Sequence, residues 1–134
     1  MPGSFTAEQR ERFREGISLF NRGEFFECHE VLEAVWMEVS GGQKTFLQGL
    51  IQIAVAFYHL RRGTFIGSSR LLRAGLEKLS QGAESPEIAD LEALLKTLTP
   101  LPDEIQAGRI SPSWPAPSIR WQLPTCPNPS EPRQ

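Results

Sequence analysis

Apolar residues recur along the chain at the three- and four-residue spacing of α-helices, and glycines and prolines divide this pattern into segments. Thr6 followed by Gln9 predicts the capping box of a first helix, which ends at Gly23. Ser85-Pro86 predicts the start of a fifth helix whose apolar stripe begins at Ile88, because proline is favoured at the first helical position. The pattern therefore predicts an all-α, single-domain bundle of about five helices, built from antiparallel helix hairpins.

The second and third predicted helices, within 24–36 and 46–60, differ from the others in where their polar residues fall. The third is apolar almost all the way round and carries no formal charge, which is typical of a buried helix. Gly41-Gly42 is expected to break the chain between the two, and so short a connection makes neighbouring helices antiparallel. We therefore expect a polar arc of the third helix to face a polar edge of the second. The arc holds Gln48, Gln52 and His59, and the edge holds His29, Glu30 and Glu33.

These six side chains form the candidate site, and the preferred interpretation is a buried Glu/His/Gln network. Glutamates would accept hydrogen bonds from Gln48 and Gln52, and each imidazole would donate to a carboxylate, holding the two helices in register. The chain would then be a structural or interaction module. A lone His-Glu-x-x-Glu pattern arises readily by chance, so the coincidence of polar residues on the two helices carries most of the argument for a functional site.

The alternative is a small metal-dependent enzyme, similar to a hydrolase. Residues four apart on a helix can bind one ion, so His29 and Glu33 with His59 could hold zinc, iron(II) or manganese(II). Glu30 would be the general base acting on a bound water, and Gln48 and Gln52 the cofactor-binding residues. Metal-free acid–base catalysis or capture of a small ligand is a third interpretation.

Composition narrows the classes of partner. The 134 residues have a net charge of −2 and a pI near 5.7, and the basic residues form no run, so nucleic acid is not expected as a partner. The longest uncharged stretch, 45–60, is shorter than the about 20 residues that span a bilayer, so no membrane partner is expected. The amino terminus lacks a signal-peptide apolar region, and we expect a soluble, cytoplasmic protein. A homo-oligomer or a protein partner stays open.

The carboxyl-terminal part, 111–134, differs from the bundle expected over 1–110. Seven of its 24 residues are proline, which excludes a regular helix or a central strand. Trp114 and Ile119 are among its apolar residues, so part of this tail is expected to lie extended against the bundle or against a second copy. Full disorder is the competing interpretation.

Comparison of the chain with itself reveals a short recurrence. Arg22-Gly23-Glu24-Phe25 and Arg62-Gly63-Thr64-Phe65 are 40 residues apart. Two helix hairpins could thus be stacked repeats, which would favour an interaction scaffold. Shared helix-turn chemistry could also account for the recurrence.

The same residues carry a resemblance to a known family. The stretch 23–33 with Trp36, followed by 46–54 and His59, resembles the bacterial and archaeal family called domain of unknown function 309, over roughly 13–79. The resemblance implies an all-helical bundle with no established activity. The family's Gly-Asn and Gly-Ala pairs after the histidine stand here as Gly63-Thr64 and Gly67-Ser68, so any role of the family's asparagine does not transfer.

Overall fold

The computed structural model describes residues 5–81 and 88–121, without the side chains of residues 89 and 121. In these ranges the chain forms six helices and one pair of two-residue strands, which confirms the predicted all-α bundle. The long helices are α1 (Ala7–Asn21), α2 (Phe25–Trp36), α3 (Gly41–Arg61) and α4 (Phe65–Ser80). They are followed by β1 (Ile88–Ala89), α5 (Leu91–Leu98), α6 (Leu101–Gln106) and β2 (Arg120–Trp121), and β1 pairs antiparallel with β2. None of the described helices is both long and apolar enough to cross a bilayer.

Glycine turns end α1 and α3 in the same way. Gly23 and Gly63 adopt φ of 81° and 80°, a left-handed conformation that costs glycine little. In the first turn the N–H of Glu24 donates to the carbonyl of Leu19, and in the second the N–H of Thr64 donates to that of His59. Both are Schellman motifs. Because this motif ends helices in unrelated folds, the recurrence agrees with a repeat but does not require one.

Consecutive long helices pack on one another, and the contact between α3 and α4 is the most extensive. Their backbones approach most closely at Gly49 and Gly75. A Cβ atom added at Gly75 would lie 2.7 Å from the carbonyl oxygen of Gly49 and 2.8 Å from a side-chain carbon of Ile53. These distances are shorter than van der Waals contact, so this crossing requires a residue without a side chain.

A group of aromatic rings joins the first three helices. The ring of Phe20 contacts those of Phe25 and Phe57 at centroid distances of 5.1 and 5.8 Å, and Phe25 stacks on Phe57 at 5.4 Å. These three side chains are almost fully buried. Fully burying such a side chain stabilises the fold by about 1.5–3 kcal/mol, so this group contributes strongly to holding α1, α2 and α3 together.

The chain after α6 crosses the bundle on the side of these rings. Trp114 stacks on Phe57 at 6.2 Å, and Arg61 donates a hydrogen bond to the carbonyl of Pro112. The amide group of Asn21 donates to the carbonyl of Ile119 at 2.8 Å and accepts from its N–H at 2.7 Å. We call residues 110–121 the strap. The division into a bundle over 1–110 and a tail over 111–134 stays a prediction.

Two predicted helix starts are wrong. The third helix begins at Gly41, so the two glycines are its first residues and the break in the chain falls at 37–40. Glycine is tolerated there because the N–H groups of a first turn have no partner within the helix. The fifth helix begins at Leu91. Asp90 has φ of 58°, a left-handed conformation that does not occur in the interior of a right-handed helix, and Ile88 pairs in β1 with β2. Ser85-Pro86 lies outside the described residues.

The glycine contact leads to a test of stability. We expect Gly75→Ala to lower the free energy of unfolding by about 1–3 kcal/mol, because the added methyl group overpacks the crossing of α3 and α4. Thermal and urea unfolding measure the change. Gly42→Ala is the matched control: its Cβ would meet no atom within 4 Å, so its stability should be unchanged or slightly raised. Equal stability of Gly75→Ala and the wild type would contradict the close crossing.

Candidate functional site

The six predicted site residues all lie on α2 and α3, but they are not sealed between these helices. His29, Gln48, Gln52 and His59 are half-buried, whereas Glu30 and Glu33 are exposed. The side chain of Glu33 is 54% exposed, compared with 19% for His29. The prediction of a buried Glu/His/Gln cluster is therefore wrong for its glutamates. The physical reason is that α1 and α3 cover only part of α2, and these two positions face away from both.

His29 is the best-connected member of the group. Its Nδ1 lies 2.8 Å from the carbonyl oxygen of Phe26, and because a carbonyl only accepts, Nδ1 is the donor. Its Nε2 lies 4.0 Å from a carboxylate oxygen of Glu33, and this ion pair exists only when the imidazole is protonated. Within the described ranges no hydrogen bond joins Glu33 to Gln48 or Gln52. The predicted network is thus reduced to one local pair on α2.

His59 lies beside the other neighbour of α3, the helix α4. A Cβ atom on Gly67 of α4 would lie 3.8 Å from the imidazole of His59. The Oε1 atom of Gln52 is buried and accepts no hydrogen bond. Both α2 and α4 pack on α3, and they make almost no contact with each other.

The structure does not assemble the predicted metal site. His59 lies beside Gly67 of α4, whereas His29 and Glu33 form a pair on α2. Over residues 5–81 and 88–121, no three His, Cys, Asp or Glu side chains are grouped closely enough to hold an ion. Glu30, predicted as the general base, consequently has no metal-bound water to act on in this arrangement.

An exposed group of aromatic residues is the feature that the sequence analysis missed. The ring of Phe26 lies 5.0 Å from that of His29 and 5.4 Å from that of Tyr58, and the guanidinium of Arg62 lies 5.4 Å from the centre of the Tyr58 ring. Phe26 is 45% exposed. We call these four residues the aromatic patch. A signal for it existed, since Phe26 follows Phe25 and therefore lies about 100° away from the apolar stripe of α2.

The opposite end of the α2–α3 hairpin carries a second exposed apolar group. The ammonium of Lys44 lies 4.1 Å from the centre of the Trp36 ring, a cation–π contact. Met37, the next residue, is 73% exposed. The exposed side of α2 thus has an apolar residue at each end and glutamates between them.

Cys28 lies on the buried side of α2. Its side chain has no exposed surface, and burial raises the pKa of its thiol to about 12, although a backbone hydrogen bond involving Phe20 acts in the opposite direction. A thiol is nucleophilic only as the thiolate. Cys28 is therefore a core residue. His29 cannot act as its base, because adjacent residues diverge by about 100° around a helix.

Comparison with known proteins identifies the helical part of the chain. Residues 13–71 match the family model described as "Domain of unknown function (DUF309)". Over this segment, 59 of its 134 residues, the chain is similar to that family. The DUF309 segment includes α2 and α3 entirely, and with them the aromatic patch. The predicted resemblance to this family is confirmed.

One curated relative of the DUF309 segment is the "Uncharacterized protein YpuF" of Bacillus subtilis (strain 168). It is 41% identical over 69 residues, which make up 51% of this chain and 38% of YpuF. The present chain therefore spans about two fifths of the length of this relative.

The burial of Cys28 can be tested by its reactivity. In a Cys126→Ser variant, Cys28 is the remaining thiol. We expect almost no reaction with a disulfide reagent at pH 8 in the folded protein, because a pKa of about 12 leaves very little thiolate, and rapid reaction after unfolding in urea. Absorbance of the released thiol measures both rates. Comparable rates in the folded and unfolded protein would contradict the buried position.

Proposed function

We propose that this protein is an interaction module that acts in the cytoplasm and binds a protein partner through the aromatic patch. The observation that carries this proposal is the exposure of Phe26, an aromatic residue at 45% exposure in contact with His29 and Tyr58. Exposed apolar groups rimmed by polar residues are typical of interaction surfaces, and aromatic residues and arginine dominate binding energy there.

The position of the strap supports this choice of surface. Arg61 and Phe57 of α3 contact the strap, whereas Tyr58 and Arg62, the residues that follow them in sequence, belong to the aromatic patch. Adjacent residues of a helix diverge by about 100°. The strap therefore covers one side of the carboxyl-terminal end of α3 and leaves the side of the aromatic patch open to a partner.

The charge around the aromatic patch supports recognition rather than catalysis. Glu27, Glu30 and Glu33 are exposed on α2. Charged residues at the rim of an interface steer encounter and exclude wrong partners. The same residues are therefore suited to selecting a partner around an aromatic centre.

The first test separates the role of Phe26 from folding. We expect Phe26→Ala to lower the free energy of unfolding by about 1 kcal/mol or less, because its side chain is already half in water. Phe25→Ala, the matched control, removes a buried ring and should cost about 3–5 kcal/mol. Urea unfolding measures both. A cost for Phe26→Ala as large as that for Phe25→Ala would assign Phe26 to the core instead.

Binding itself can be tested with short peptides of four classes: acidic, basic, amphipathic helical and proline-rich. We expect at least one class to shift the NMR amide signals of the aromatic patch, and Phe26→Ala to abolish those shifts while leaving the spectrum folded. If no class shifts these signals at millimolar concentration, the aromatic patch is not a peptide-binding surface.

The alternative is a metal-dependent enzyme. The nearest polar atoms of His29 and Glu33 lie 4.0 Å apart, and His59, which lies beside Gly67 of α4, would have to move to become the third ligand. On our proposal, EDTA leaves the melting temperature of the wild type and of Glu33→Gln unchanged. An ion that binds only the folded state would stabilise it according to its concentration relative to its dissociation constant. A melting temperature that falls by several degrees in the wild type alone would favour the enzyme.

A further inference from the structure

The outer faces of α2 and α4 carry the exposed large apolar residues of the described chain. Phe26 on α2 and Met37, which directly follows α2, are 45% and 73% exposed, and Phe65 and Ile66 on α4 are 37% and 69% exposed. Exposed apolar residues bordered by polar ones are typical of surfaces that a partner covers. Each of these helices therefore offers an apolar surface with no cover within the described part of the chain.

Phe26 and Ile66 occupy equivalent positions on the two helices. Both begin after a turn with the same hydrogen bonds, so residues 40 positions apart occupy equivalent places on α2 and α4. Phe26 thus corresponds to Ile66, and Glu30 corresponds to Arg70. The short connections make consecutive helices antiparallel, so α2 and α4 run in the same direction.

Equivalent positions on the two helices carry opposite charges. Between Phe25 and Trp36, α2 contains no lysine or arginine, and its acidic side chains are exposed. Glu33 on α2 corresponds to Arg73 on α4, which contacts Asp103 and Gln106 of α6. Glu30 and Arg70 are exposed, and neither makes an ion pair with any described residue. This unmatched pair lies at the centre of the two faces.

We propose that a second copy of this chain covers these faces, with α2 of each copy packed on α4 of the other. This inference rests on the proposed function, since it names one partner for the interaction module. A two-fold axis parallel to the helices places each residue of α2 opposite the equivalent residue of α4 in the other copy, at the same height along the helices. Glu30 of one copy then meets Arg70 of the second copy, and Phe26 meets Ile66 of the second copy. The same contacts form twice, and the assembly closes as a dimer.

The charge pattern selects this arrangement over the other face-to-face dimer. A two-fold axis perpendicular to the helices would place α2 on α2 and α4 on α4. Glutamates would then face glutamates and arginines would face arginines, and like charges across an interface disfavour association. The opposite charges of α2 and α4 therefore determine both the partner helix and the relative direction of the two copies.

The experiment measures the mass of the full-length chain by sedimentation across a range of concentrations. We expect a dimer for the wild type. Glu30→Arg and Arg70→Glu should each weaken the dimer by about tenfold or more, because each variant places two like-charged pairs in the interface. Glu11→Arg is the matched control on the exposed side of α1, and its dimer should be unchanged.

Mixing the two charge-reversed variants gives the decisive measurement. An equimolar mixture of Glu30→Arg and Arg70→Glu restores opposite charges at both contacts, so we expect a mixed dimer, and the double variant should also dimerise. Added salt should weaken the wild-type dimer. A monomeric wild type, a dimer that neither charge reversal weakens, a mixture that stays monomeric, or assemblies larger than dimers would each overturn the proposal.

The peptide titration separates this inference from the proposed function. If charge reversal has no effect on assembly but peptides still shift the signals of the aromatic patch, the interaction module stands and its partner is not a second copy. If the wild type is monomeric and no peptide binds, both proposals are overturned.

Discussion

The backbone contact between α3 and α4 at Gly49 and Gly75 is the constraint on which the rest of the structure depends. Because neither residue has a side chain, the two helices approach more closely than larger residues would allow. This contact positions α4, and α4 in turn positions α6, since Ser69 donates a hydrogen bond to the carbonyl of Pro102 and Arg73 forms an ion pair with Asp103. It also draws α4 to the side of α3 away from α2, which leaves a gap between α2 and α4.

The aromatic core and the strap divide α3 into a covered and an open side. The rings of Phe20, Phe25 and Phe57 join α1, α2 and α3, and Trp114 of the strap stacks on the same group. Asn21 ties the far end of the strap to α1 through two hydrogen bonds to Ile119. Buried apolar surface and the hydrogen-bonded amide of Asn21 thus stabilise the side of the bundle that the strap covers. The exposed aromatic residues, glutamates and arginines fall on other surfaces, where they are available to partners.

This distribution explains why the polar residues of α2 and α3 form no enclosed site. A glutamate removed from water needs a partner. Among the described residues Glu33 has His29 beside it at 4.0 Å, and its exposed position avoids the cost of burial. His59 packs beside Gly67, where an added Cβ atom would be in ordinary van der Waals contact with the imidazole. The outer faces of α2 and α4 instead combine apolar contacts with charges of opposite sign, which is the chemistry of association between proteins.

The sequence alone determined the local structure of this protein. Capping by Thr6 and Gln9, helix termination at Gly23 and Gly63, and the apolar stripes all act over a few residues, so their signals could be read directly. The family resemblance and the polar arc of α3 were also visible. Even the fifth helix was predicted, with only its start misplaced.

Tertiary structure decided which side of each helix meets which neighbour. A helical wheel shows that Gln52 and His59 share an arc, but whether this arc faces α2 or α4 depends on the crossing at Gly49 and Gly75, which involves residues 26 positions apart. The exposure of Phe26 and the left-handed Asp90 before α5 likewise follow from packing and from strand pairing across the chain. Local sequence patterns indicate which residues are apolar, whereas long-range packing determines which of these residues are buried against another element.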